Sequence, residues 1–386
     1  MDKDGTMDKK ERSNLIDIMK ALMILSVVVY HLIYRARSWM FDRIVREMIY
    51  LSMPLFILFA GYFFKDSDDS FFAGLAKRMK KLLLMPVITI AVLLLVLGPY
   101  YLLTYDDYTV ETWLGDIPQT YLRPELTEKI APSLTGGQLS LNLGPVWFIW
   151  MLAWDTVVFF IVMKFSGKSI SRMIGTMIVL LIIGIVLFVN VSPLPWCLQL
   201  APLYAGIMMI GHLLRKEEVL ENLEDVNLVI SSVNMIVAAV LHYFIFINFG
   251  SDLIYQSILG DKGYVSGIFF IIEVLLGGYV LFTLARLLKL CTPVVGGLTW
   301  IGRHTLVILL FHSVIGGIAS DIMHTYNKIG PNWYVYPLTS TIIIKSLISF
   351  AVALVGSIGV GLLNDKLKVI YRNKKEDRRI SDNVPV

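Results

Sequence analysis

The sequence predicts an all-α fold, a polytopic integral membrane protein of about ten transmembrane helices. Three observations predict it. Of 386 residues, 56% are hydrophobic and only 17% charged, whereas a soluble domain of this size needs roughly 25% charge to cover its surface. The apolar residues are clustered: runs such as 82–97, 174–189 and 342–363 reach or approach the roughly 20 residues that cross a bilayer. Finally, Lys and Arg are distributed unevenly between alternate connecting segments, by roughly three to one. That is the positive-inside pattern of an even number of spans with both termini in the cytoplasm.

The spans are expected at about 14–33, 44–64, 82–104, 144–164, 173–190, 197–214, 226–248, 265–288, 301–319 and 338–363. The first apolar stretch follows Asn14, carries Lys20 and lacks a small-residue cleavage site, so it reads as a retained helix and not a signal peptide. The second contains Pro54, which removes a helix hydrogen bond, and Gly61, which permits close helix approach. The third follows the basic stretch Lys77, Arg78, Lys80 and Lys81. A long outer loop, about 105–143, is rich in Pro, Tyr, Asp and Thr; loops of that length are functional or plain surface connections. Short turns separate the fourth to seventh spans, basic after the fourth (Lys164, Lys168, Arg172) and the sixth (Arg215, Lys216). The eighth carries Glu273, the ninth His304 and His312, and the tenth is interrupted by Lys345. No internal repeat is evident. The expected partition is a cytoplasmic segment 1–13, one membrane domain 14–363 and a charged cytoplasmic tail 364–386, in a bacterial cell membrane.

The formal net charge of +4 gives no reason to expect a nucleic-acid partner. Cys197 and Cys291 fall near opposite membrane faces in this topology, so no bridge between them is expected. No metal-ligand cluster, nucleophile elbow or nucleotide-binding Gly-rich loop is present, and no metal is expected.

The first span carries the strongest chemical signal. Ionisable side chains inside a span are costly and mark function. Lys20 and His31 are separated by eleven residues, a rotation of about 1100°, roughly 20° off three full turns, and about 16 Å along the axis. Asp17 lies three residues before Lys20 and shares that stripe. The bland reading is a Lys that snorkels beside its Asp, plus a packed His. The basic stretch Lys77, Arg78, Lys80 and Lys81 is able to grip phosphates or simply to anchor topology. Tyr62, Trp147, Glu273, His304 and His312 are weaker candidates for a pocket. Each also has a structural reading as interfacial anchor, buried pair or packed ring.

Together these segments resemble acyltransferase family three of the membrane O-acyltransferases, and within it the fucose 4-O-acetylase-like branch. Six segments are similar, in order, over about residues 12–363. They are Asp17 and Lys20 to His31; Met53-Pro54-Leu55-Phe56 through Gly61-Tyr62-Phe63-Phe64; Lys77-Arg78-Met79-Lys80-Lys81 followed by Pro86; Gly144-Pro145-Val146-Trp147-Phe148; Pro195 to Gly211; and Ile301-Gly302-Arg303-His304-Thr305 with Phe311-His312. Ala60 stands where the family usually has Ser, and Lys stands where Arg is common in the basic stretch. Lys lacks the bidentate fork of Arg.

The resemblance implies transfer of an acyl group, most often acetyl, from cytoplasmic acyl-coenzyme A to a hydroxyl of a cell-surface or lipid-linked glycan. No permanently bound cofactor is implied; acetyl-coenzyme A is a co-substrate. Its phosphates would sit near Lys77, Arg78, Lys80 and Lys81, and its pantetheine arm would pass Lys20. His31 would be the general base, since an imidazole of ordinary pKa about 6.5 suits that task. Asp17 would hold Lys20, which would stabilise charge or position the donor. The competing class is a secondary transporter or glycan exporter, which would also use intramembrane Lys, His and Glu. Coenzyme A binding separates the two.

Overall fold

The computed structural model of the chain describes residues 9–33, 52–64, 71–104, 109–115, 147–167, 169–191, 194–249, 263–322 and 340–382. Regular structure among the described residues is helical. The principal helices are α1 (Lys9–Ile33), α2 (Ser52–Tyr62), α3 (Phe71–Thr104), α4 (Trp147–Ser166) and α5 (Ile170–Asn190). A 3-10 turn (Pro195–Leu200) then leads into α6 (Ala201–Lys216) and the short α7 (Val219–Asp225). The remainder are α8 (Leu228–Phe249), α9 (Tyr264–Lys289), α10 (Thr292–Arg303), α11 (Thr305–Ile322) and α12 (Ser340–Asp382).

Seven described helices are long and apolar enough to cross a membrane, or eight if the bent pair α10–α11 is one span. The sequence expectation was about ten; residues 44–51 of the second expected span lie outside the described residues. Exposed apolar faces accompany this composition. Along α8, Val229, Ile230, Val233, Ile236, Val237, Val240 and Phe244 are all exposed. A contiguous apolar face of that extent belongs in lipid.

Three expectations are corrected. The basic stretch does not precede the third helix but lies within it, because α3 begins at Phe71. The ninth span is not one helix over 301–319: α10 and α11 meet at His304 with a bend of 84°. The segment 292–300, left between the eighth and ninth expected spans, is helical with its Pro in the first turn, where a missing N–H costs nothing. The last helix does not stop near residue 363 but runs on to Asp382.

Two helices form the centre. On α1, Leu15, Ile16, Ile18, Met19, Ala21, Met23, Ile24, Val27 and Val28 are all buried, so the helix is enclosed nearly all round. It packs against α9, α10, α11 and α12. The other is α6, the most deeply buried candidate span, which packs on α4 and α5. Small residues set these contacts, as helices in lipid lack a hydrophobic drive to associate. A Cβ on Gly61 of α2 would overlap the Met208 carbonyl of α6, and one on Gly211 of α6 would overlap the Leu58 carbonyl of α2. The two helices therefore touch backbone to backbone through reciprocal glycines. In the same way Gly302 of α10 lies against the Asp17 carbonyl of α1.

These contacts predict a contrast within α10. Gly302→Ala should destabilise the detergent-solubilised protein by about 1–3 kcal/mol, the usual cost of overpacking. Gly296→Ala has open space around it and should be neutral or stabilising by up to about 1 kcal/mol, the helix preference for Ala. Thermal unfolding of both variants checks this; equal midpoints would remove the α1–α10 contact from the account.

Candidate functional site

At one end of the bundle, polar chemistry is organised around Asp17. Its side chain is almost wholly buried on α1. Lys20 Nζ donates to Oδ1 at 2.7 Å, and Arg303 Nε of α10 donates to Oδ2 at 2.9 Å. Arg303 also donates to Asn14 Oδ1 at 3.5 Å. A buried carboxylate is tolerable only with such charge-assisted bonds. The geometry fixes Lys20 beside Asp17 as expected, one helical turn on, and 5.9 Å from the Phe63 ring centre. Arg303 was read from sequence only as a topology charge and part of a motif. Its neighbour Gly302 provides the signal, since only a small residue there lets α10 approach Asp17.

The C-terminal end of α2 gathers further cations. The Arg78 guanidinium lies 4.1 Å from the Phe64 ring centre and 5.4 Å from that of Phe160, a cation–π arrangement. Arg215 Nη1 of α6 donates to the carbonyls of Tyr62 and Phe64, both at 3.3 Å. It thus satisfies acceptors left open where α2 ends. The His212 ring packs edge-on against Phe64 and Phe159. Lys20 and Arg78, from two separate sequence motifs, therefore lie against adjacent rings, Phe63 and Phe64. Lys77, Lys80 and Lys81 are exposed on α3, while Arg78 is half-buried. Tyr62 is buried and lines a small cleft with Leu15 and Ile16 of α1 and Leu220, Glu221 and Glu224 of α7.

The opposite end carries the C-terminal part of α1. Ser26 of α1 pairs with Ser52 of α2 at 2.5 Å, and Phe56 of α2 packs near Phe148 of α4. Helices α1 and α2 are therefore antiparallel, and His31 lies on the turn of α1 beyond Ser26, away from Lys20. The side chains of His31 and of Trp147, the first residue of α4, lie outside the described residues.

The remaining candidates stand apart. His304 is the C-cap of α10. Its Nδ1 hydrogen-bonds the Trp300 carbonyl at 2.8 Å, its Nε2 bonds Asp365 Oδ2 of α12 at 2.6 Å, and its ring stacks on Trp300 at 4.0 Å. His312 is fully buried, with Nδ1 on the Ile308 carbonyl and Nε2 at 3.1 Å from Ser313 Oγ. Both nitrogens of each ring are engaged within the protein, which favours the packing reading. Glu273 is buried in α9.

One acid was overlooked in the sequence. Asp155 of α4 is fully buried, and among the described residues neither carboxylate oxygen has a hydrogen-bond partner. It shares a buried stripe with Met151, Phe159 and Met163, at the spacing of one face of a helix. Its signal was available: it is the one acidic residue in the apolar run 147–166.

Comparison with known families gives one match. The family described as an acyltransferase domain matches residues 14–363. No curated protein and no solved structure matches the chain.

The isolation of Asp155 predicts a stability gain on removing it. A buried polar group without a partner costs about 1–3 kcal/mol, so Asp155→Leu should raise the thermal unfolding midpoint in detergent. Asp155→Asn, which keeps a polar group in place, should recover little of that gain. A lower midpoint for the Leu variant would mean that the carboxyl contributes to the fold.

Proposed function

We propose a function from one premise: this chain belongs to acyltransferase family three, and it is a multi-pass membrane acyltransferase. Within that family we assign it to the fucose 4-O-acetylase-like branch, as an O-acyltransferase. The donor is acyl-coenzyme A, in the first instance acetyl, and the acceptor is a hydroxyl of a cell-surface or lipid-linked glycan. The proposed frame is ten spans in a bacterial cell membrane with both termini cytoplasmic, on the strength of the Lys and Arg asymmetry. No observation favours a transporter.

The observation that carries this reading is the division of polar groups between the ends of the bundle. Lys20, Arg78 and Arg215 cluster around residues 62–64 at one end, while the His31 end of α1 lies at the other. A polyanionic donor suits the first, and an acceptor reaching in from the far side suits the second. On this reading Arg78 and the exposed Lys77, Lys80 and Lys81 meet the donor phosphates. The pantetheine arm follows α1, whose Lys20-to-His31 rise is about 16 Å. His31 accepts the proton of the glycan hydroxyl as its oxygen attacks the thioester carbonyl. The new C–O bond forms, the C–S bond breaks, and the proton passes from His31 to the departing thiolate. Asp17, held also by Arg303, keeps Lys20 oriented toward the donor side. Ala60 leaves that position without a hydroxyl, so no role is given to it.

Two experiments test the donor and the base separately. Changing Arg78 and Lys81 together to Ala should weaken coenzyme A binding far more than changing Lys374 and Lys375 to Ala, since each charge-assisted contact contributes about 1.5–3 kcal/mol. Equal binding in the two double variants returns the basic stretch to a topology anchor. His31→Ala should lower glycan acylation by about 10²–10⁴-fold, the usual share of a general base, with normal membrane insertion. Near-parental acylation by an inserted His31→Ala protein would falsify the base assignment.

A further inference from the structure

Three indoles form a cluster that runs inward from the end of the bundle carrying the His31 turn of α1. Trp150 and Trp154 lie one turn apart on α4, and Trp196 projects from the 3-10 turn that precedes α6. The Trp196 ring lies 6.0 Å from that of Trp154 with planes at 24°, and 6.4 Å from that of Trp150 with planes at 32°. All three side chains are partly exposed. Their end of the bundle follows from packing. The α4–α6 pair runs parallel, with Trp154 beside Trp196 near the start and Phe159 beside His212 near the finish. Trp150 therefore lies at the end marked by Phe148, Phe56 and the Ser26–Ser52 pair, and Trp154 one turn further into the bundle, before the Phe159–Phe64 contact at the cation end.

The backbone that holds Trp196 is unusual. Trp196 (φ 58°, ψ 24°) and Cys197 (φ 54°, ψ 33°) are successive non-glycine residues in the left-handed region, a conformation unfavourable for L residues. It is fixed by its surroundings. The Leu194 N–H donates to Gln199 Oε1 at 2.9 Å, the Cys197 N–H donates to the Leu194 carbonyl at 3.1 Å, and Cys197 is buried. Backbone strain retained in this way concentrates at ligand sites. An interfacial anchor for the membrane needs a Trp but neither a stack nor a strained backbone beneath it.

We propose that Trp154 and Trp196, with Trp150 beside them, form the platform that receives a sugar ring of the acceptor; this rests on the acyltransferase reading above. A pyranose presents C–H groups on its face and hydroxyls around its edge. The electron-rich face of an indole attracts the former and leaves the latter free to be directed toward the His31 turn. The platform therefore selects a ring-shaped carbohydrate acceptor over a linear alcohol and acts on acceptor binding alone, leaving the donor untouched.

The test uses the full-length chain in membranes, labelled acetyl-coenzyme A as donor, and surface glycan extracted from cells lacking the gene as acceptor. Trp196→Leu should raise the glycan concentration for half-maximal transfer by about three- to tenfold, the range expected for a lost aromatic contact. The KM for acetyl-coenzyme A should be unchanged, and Trp196→Phe should restore most of the acceptor affinity. Trp154→Leu provides the same reading should Trp196→Leu fail to insert. A glycan dependence equal to that of the parent in either inserted Leu variant overturns the platform and leaves the acyltransferase reading standing. A parent chain that transfers no label overturns both.

Discussion

Asp17 sets the architecture of one end of the molecule, because a carboxylate so deeply buried has to be neutralised by cations brought to it. Lys20 comes from the next turn of the same helix, but Arg303 comes from the far end of the chain. For its guanidinium to reach, α10 must press on α1 without a side chain between them, and Gly302 supplies that gap. The next residue, His304, turns the other way and binds Asp365 of α12. The 84° bend between α10 and α11 is what allows consecutive residues to engage the first helix and the last. One elbow thus closes the two ends of the chain into a single bundle, and the orientation of Lys20 depends on that closure.

The same logic of small residues and compensated charges runs through the second centre. Gly61 and Gly211 bring α2 and α6 into backbone contact, which carries the Tyr62-Phe63-Phe64 terminus of α2 to Arg215. The arginine then bonds the carbonyls that the helix leaves open. Arg78 rests on the outer side of Phe64 and Lys20 faces Phe63. A short aromatic terminus is therefore the partition between the cation of α1 and the cation of α3. In a low-dielectric setting the faces of such rings attract the positive groups that lie against them.

Much of this was legible in the sequence, and the reasons differ by element. Long apolar runs announced α4, α5, α8 and α9 to within a few residues, because a span has to be apolar over its whole length. The Asp17–Lys20 pair was legible because three residues is a helical neighbour distance. The elbow was not, since the segment 292–300 lay between two expected spans and its helix is held by the packing of Gly302 on α1. The inward turn of Arg78 was hidden for a similar reason: spacing places it with Lys81, but the rings that attract it belong to α2 and α4. The left-handed backbone at Trp196 and Cys197 left no trace in composition, as neither residue favours that region. Asp155 was visible and passed over, because it matched no motif.

On the proposed reading, a donor and an acceptor meet from opposite sides along α1. The helix is enclosed by α9, α10, α11 and α12 over most of its length, so a reaction along it would take place inside protein and not in lipid. Its charged turn is immobilised by Asp17 and Arg303, whereas the His31 turn lies some 16 Å further along the axis. On the proposed reading, catalysis then needs a passage along α1 only wide enough for the donor arm. A slender donor arm spans the distance from the cations, the acceptor ring is held at the far end, and the base stands where the two approach. Fixed cations at one end and a fixed aromatic surface at the other leave the position of the acyl carbon along α1 as the remaining variable, and the length of the donor arm determines it.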